Sequence, residues 1–183
     1  MVERELKYYY PPTEAEAMRA LKKQAMVILR FHLNPDMTIE DRWREIDDAL
    51  APIRCSHRTE KYSLNELKDI ALTTNDKRMK NLYDHEFNHV RQMKQVLSDM
   101  GISAKPEFDV YYCPTLPDMY SSGGAIGLLG MKRDTLNLTR EQFIEFDTRL
   151  SLKMLKSPHN SLGDVFIIVG IIGGRVLDRF RKR

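Results

Sequence analysis

At 183 residues, with 42% hydrophobic and 30% charged residues, the chain has the balance of a globular domain long enough for a real core. Its formal charge is only +3, its two cysteines lie far apart outside any CxxC or framework spacing, and Met1–Tyr10 lacks the apolar core of a secretory signal. These features argue against a disulfide-framework secreted protein. A reduced, cytoplasmic setting with at most one disulfide is expected.

In chain order, Pro11-Pro12 ends a short arm holding Tyr8, Tyr9 and Tyr10. Thr13 with Glu16 forms a capping box that predicts a helix to about Leu33, with Met18, Leu21, Ala25, Ile28 and Leu29 on one stripe. Thr38 with Asp41 starts a second helix carrying Trp43, Ile46 and Leu50 and ending near Pro52. Ser63 with Glu66 starts a short third one. A fourth runs from Asn75 or Asp76 to Met100 without Gly or Pro, and Gly101 follows as its C′ residue. The pattern then changes. Phe108–Cys113 reads as a strand, and Ala125–Met131 with Thr135–Leu138 as a hairpin around Lys132-Arg133-Asp134. Thr139 with Gln142 opens a fifth helix to about Lys156, with Phe143, Phe146, Leu150 and Met154 facing the core. The expected class is α+β: a mostly helical single domain over 13–162 with a small β-region after the fourth helix. An N-terminal arm (1–12) and an apolar, basic C-terminal segment (163–183) flank it.

The fourth helix carries His85-Glu86-Phe87-Asn88-His89, an HExxH string. At about 100° per residue the two histidines fall one turn apart on one side, within reach of a single zinc ion. Glu86 lies between them, placed to take a proton from a water activated by the metal. Met79, Leu82, Val90, Met93, Leu97 and Met100 all lie within about 40° of Glu86. His89 is about 60° and His85 about 100° away on one flank. A carboxylate at the centre of an apolar stripe needs a partner, and a metal centre with two imidazoles supplies one. The competing reading is structural: Glu86 ion-paired to an arginine, with His89 bonded in the core. His32 and His57 read as core or surface histidines.

HEFNH followed by Val90 resembles the zincin metallopeptidases, in which both histidines bind zinc and the glutamate is the general base. The form with a third histidine would need Gly and His where this chain has Gln92 and Gln95. A glutamate-liganded form would draw on Glu141 or Glu145. The aspartate-liganded branch, the aspzincins, is closer, because its later GTxDxxYG motif is loosely similar to Pro114–Gly123. The resemblance implies Asp118 as third ligand and Tyr120 as the tyrosine that stabilises the oxyanion, two residues after Asp118 instead of three. His159 is the second choice for that ligand. Zincins usually place a β-sheet before the active-site helix, whereas everything upstream here reads helical.

Val165–Ile172 is almost wholly apolar, Gly173-Gly174 interrupts, and Arg175–Arg183 is basic. The run is far shorter than the ~20 residues of a membrane span, so a terminal helix with a solvated basic end is expected. Gly163, Gly170, Gly173 and Gly174 would let another element or subunit approach closely. The functional expectation is a zinc-dependent hydrolase of the metallopeptidase kind, acting on a peptide or protein substrate. The alternative is a helical structural or assembly protein of a virus or mobile element, joined through its C-terminal segment, with HExxH incidental or a structural metal site. Nothing in the tail establishes nucleic acid or membrane as a partner. A di-metal carboxylate protein ranks last, since Glu86 and His89 are the only ExxH pair.

Overall fold

A computed structural model describes residues 12–104, 106–113, 126–131, 136–157 and 162–181. The protein is α+β and mostly helical. Its described elements are α1 (Glu14–Leu33), α2 (Ile39–Arg54), β1 (Glu60–Ser63), α3 (Leu64–Thr73), α4 (Lys77–Asp99), β2 (Phe108–Cys113), β3 (Ile126–Met131), α5 (Arg140–Leu155) and α6 (Leu162–Arg181). They gather into two compact units, one formed by residues 12–17 and 51–136, the other by 18–50 and 137–181.

Local chemistry sets the helix starts. Glu16, Asp41 and Glu66 each receive the backbone N–H three residues back, while Thr13, Thr38 and Ser63 accept from the backbone in return. Thr139 and Gln142 repeat the reciprocal pair at α5. Each pair satisfies two N–H groups that a helix start leaves without intrahelical partners. Asp76 caps α4 by accepting from the Arg78 N–H at 2.8 Å, and Gly101 takes φ +71° beyond its end. Hydrogen bonds from the Thr38 hydroxyl and N–H, from the Ser63 N–H and hydroxyl, and from the Arg78 guanidinium and N–H hold the carboxyls of Asp41, Glu66 and Asp76 respectively below their usual range.

The first unit is a three-stranded antiparallel sheet of order β1-β2-β3 with α3 and α4 packed on it. Two expectations are corrected here. β1 lies upstream of the HExxH helix, where only helix was expected, and pairs Glu60–Ser63 with Tyr112–Asp109. β3 pairs with β2, from Phe108↔Met131 to Cys113↔Ile126, and not with Thr135–Leu138. Residues 136–138 are irregular, and Thr135 lies outside the described residues. On β2, Phe108, Val110 and Tyr112 are buried while Asp109 and Tyr111 are half-buried, the period of two that a one-sided sheet imposes. Leu67, Met79, Leu82, Val110 and Tyr112 form the core, flanked by Tyr62, Leu64, Ile70 and Tyr83. Each fully buried aliphatic there stabilises the unit by about 1.5–3 kcal/mol.

The second unit is helical. Phe143 makes edge-on contacts with Phe31, Trp43 and Phe146 at centroid distances of 6.0, 5.7 and 6.1 Å. The second helix ends near Pro52, as expected. Its last residue, Arg54, lies only two residues later, so the missing N–H falls in the last turn, where little helix remains to be broken. α6, by contrast, runs straight through Gly173-Gly174. Its Gly170 and Gly174 bring it close to α1, as the glycine pattern suggested. A Cβ at Gly170 would stand 2.7 Å from the Ala25 carbonyl oxygen, and one at Gly174 2.6 Å from the His32 Cβ.

Alanine usually stabilises a helix over glycine by about 1 kcal/mol. Here Gly170→Ala and Gly174→Ala are each expected to destabilise by about 1–3 kcal/mol, because fixed atoms block the methyl group. Gly173 meets only the flexible tip of Leu29 at 3.4 Å. Gly173→Ala should therefore be neutral or stabilising, and urea denaturation of the three variants checks the contrast.

Candidate metal centre on helix α4

α4 is 23 residues long, capped at its start by Asp76 and closed after Met100 by Gly101. His85 is its ninth residue, so HExxH sits in fully hydrogen-bonded helix and its side-chain directions are fixed by the 3.6-residue period. Met79, Leu82, Val90, Val96 and Leu97 are buried along one stripe, and Glu86 lies on it at 1% exposure. His85 and His89 are half-buried on the flank. On the other side of Glu86, Tyr83 and Phe87 stack at 5.6 Å.

The two imidazoles tilt against each other with ring centroids 4.3 Å apart. Their potential donor nitrogens lie within 4.8 Å of one another. Two ligands of a tetrahedral zinc stand about 3.4 Å apart, which is the separation that the two nitrogens would need. A Glu86 carboxylate oxygen lies 3.9 Å from His89 Nδ1, longer than a hydrogen bond. Two imidazoles beside a buried carboxylate make a donor set suited to a borderline-soft divalent cation. The residues present therefore fit zinc.

His85, Glu86 and His89 are thus brought together as the helical spacing requires. Asp118, Tyr120 and His159 lie outside the described residues. On α5, Glu141 is exposed and Glu145 is ion-paired with Arg149 at 2.7 Å. His57 is exposed, and His32 is buried with its Nε2 2.9 Å from Asp147. Cys55 and Cys113 are not joined in a disulfide. No helix among the described residues is long and apolar enough to cross a membrane.

Sequence reading missed a second buried polar cluster, in the helical unit. Asp147 accepts from Arg42 at 3.1 Å and contacts His32, and all three residues are buried. The Arg42 guanidinium also lies over the Phe143 and Phe31 rings, at 4.3 and 5.0 Å. The signal was the one that exposed Glu86. Asp147 falls at the edge of the Phe143–Phe146–Leu150–Met154 stripe, and Arg42 beside Ile46 and Leu50. Compared with protein-family models, with curated proteins and with solved structures, the chain matches none.

Proposed function

We propose that the protein is a zinc-dependent hydrolase of the metallopeptidase kind, built on the HExxH helix. One observation carries the reading: Glu86 is buried on the apolar stripe of α4 with His85 and His89 beside it. A carboxylate on the buried stripe with two imidazoles on its flank is placed to serve a cation that those imidazoles would hold. In this reading His85 and His89 would hold the metal, with Asp118 completing the set by resemblance to the aspzincins. Bound zinc supplies the Lewis acidity that makes water nucleophilic near neutral pH. Glu86 accepts the proton of the attacking water and returns it to the departing amine. The Tyr120 hydroxyl donates to the oxyanion that develops on the peptide carbonyl. Fragmentation of an unstructured protein substrate tests this. It should stop on chelation and return with zinc; a folded, zinc-replete protein that leaves such substrates intact would remove the peptidase reading.

One observation favours the assembly reading as the alternative. Val165, Val169, Val176, Leu177 and Phe180 are exposed on α6, and none of the helix's charged residues falls within their arc. A contiguous apolar face of this kind marks an interaction surface more often than a solvated one. That reading requires an oligomer with this face covered, which light scattering of the purified protein would detect.

A further inference from the structure

The C-terminal end of α1 is closed by two arginines. Arg140, at the start of α5, donates from Nη2 to the carbonyls of Phe31 and Asn34, the latter at 2.9 Å, and from Nε to Met37 at 3.4 Å. Arg181, at the end of α6, donates from Nη1 to the Leu33 carbonyl at 3.0 Å. These bonds satisfy carbonyls at and just beyond the helix end, and they also fix two guanidinium groups in place. Beside them opens a cavity of about 330 Å³, lined by His32, Arg140, Arg175, Asp178 and Arg181, with Ile144 on an apolar wall.

Three features of this cavity are not explained by holding the fold together. Arg175 is half-buried and makes no hydrogen bond or ion pair among the described residues. His32 has its side chain 1% exposed, with Nε2 engaged by Asp147 and Nδ1 lacking a hydrogen-bond partner. Three guanidiniums face a single carboxylate, Asp178, which leaves a formal excess of two positive charges. Planar guanidinium forks match the oxygens of phosphate and carboxylate groups, and an excess of two charges suits a dianion better than a monoanion. The volume is that of a small-molecule site.

We propose that this cavity binds the phosphoryl group of a small molecule, with Arg175 as the guanidinium that engages it and Arg140 and Arg181 as its pre-positioned walls. The site lies wholly within the helical unit and does not depend on the HExxH reading. A ligand there would bridge α1, α5 and α6, so binding would stabilise the folded state by mass action.

Titration calorimetry on the full chain, in matched chloride, tests the proposal with inorganic phosphate, adenosine 5′-monophosphate and adenosine as probes. Phosphate and the monophosphate should bind with Kd below about 1 mM while adenosine stays silent. A monophosphate at least tenfold tighter than phosphate would assign the rest of the cavity to the organic part. Equal affinities would confine recognition to the phosphoryl group. Arg175→Gln should weaken binding at least tenfold without moving the ligand-free melting midpoint, since that side chain holds no carbonyl. Arg140→Gln risks unfolding α1's end, so Arg181→Gln serves as the second variant and should also weaken binding. Silence of both phosphates, or unchanged affinity in Arg175→Gln, would overturn the proposal. So would binding confined to a single-stranded oligonucleotide with both small ligands inert.

Discussion

Asp147→Ala is expected to cost about 3–5 kcal/mol of folding stability, the largest effect of any single polar substitution in the helical unit. Asp147 is buried and holds two partners, Arg42 at 3.1 Å and His32 Nε2 at 2.9 Å. Without the carboxylate the Arg42 charge would remain inside, compensated only by aromatic faces, with its Nε and Nη1 already lacking hydrogen-bond partners. Asp147→Asn keeps a hydrogen-bond acceptor but loses the charge, so it should fall between wild type and alanine. The double change Arg42→Met with Asp147→Leu removes both charges and keeps volume. It should cost less than Asp147→Ala alone, because an unpaired buried charge is worse than none. Urea denaturation gives all three values, and a loss below about 1 kcal/mol for Asp147→Ala would show that the network is relaxed by water or rearrangement.

The second large effect is chemical. Glu86→Gln preserves volume and position on α4 but removes the base, so zinc should stay bound while hydrolysis falls by about 10²–10⁴-fold. The two readouts separate the roles. Loss of both would make Glu86 a ligand or a structural anchor of the site. Full activity in the variant would mean that another group takes the proton. A rise in KM with kcat unchanged would point to substrate binding instead.

What the sequence made legible was local. Thr13–Glu16, Thr38–Asp41, Ser63–Glu66 and Thr139–Gln142 all cap helices, because each device needs only residues three apart. Gly101 ends α4 for the same reason. The placement of Glu86 followed from angular arithmetic along a single helix, which needs no knowledge of what packs against it. Pairing across distance was harder to read. β1 is four residues, two exposed and two half-buried, without apolar alternation, and exists because β2 lies beside it. β3 joins β2 although Lys132-Arg133-Asp134 offered a turn nearby, since that turn chemistry could not show which partner would bury more surface. α6 crosses Gly173-Gly174 because contact of Gly170 and Gly174 with α1 outweighs the cost of glycine in a helix. The Asp147 cluster was missed because its three members sit on three helices, so no spacing along the chain links them. Asp118 as third ligand rests on the aspzincin resemblance alone, because a ligand from outside the helix has no fixed spacing from HExxH.

Zinc content is the most direct measure of the central claim. Protein purified without chelator should carry close to one zinc per chain by elemental analysis. His85→Ala and His89→Ala should each bring that close to zero while the far-ultraviolet spectrum stays that of a mostly helical fold. Asp118→Asn should weaken zinc binding far more than His159→Ala. A wild-type protein that is correctly folded yet takes up no zinc at neutral pH would contradict the account.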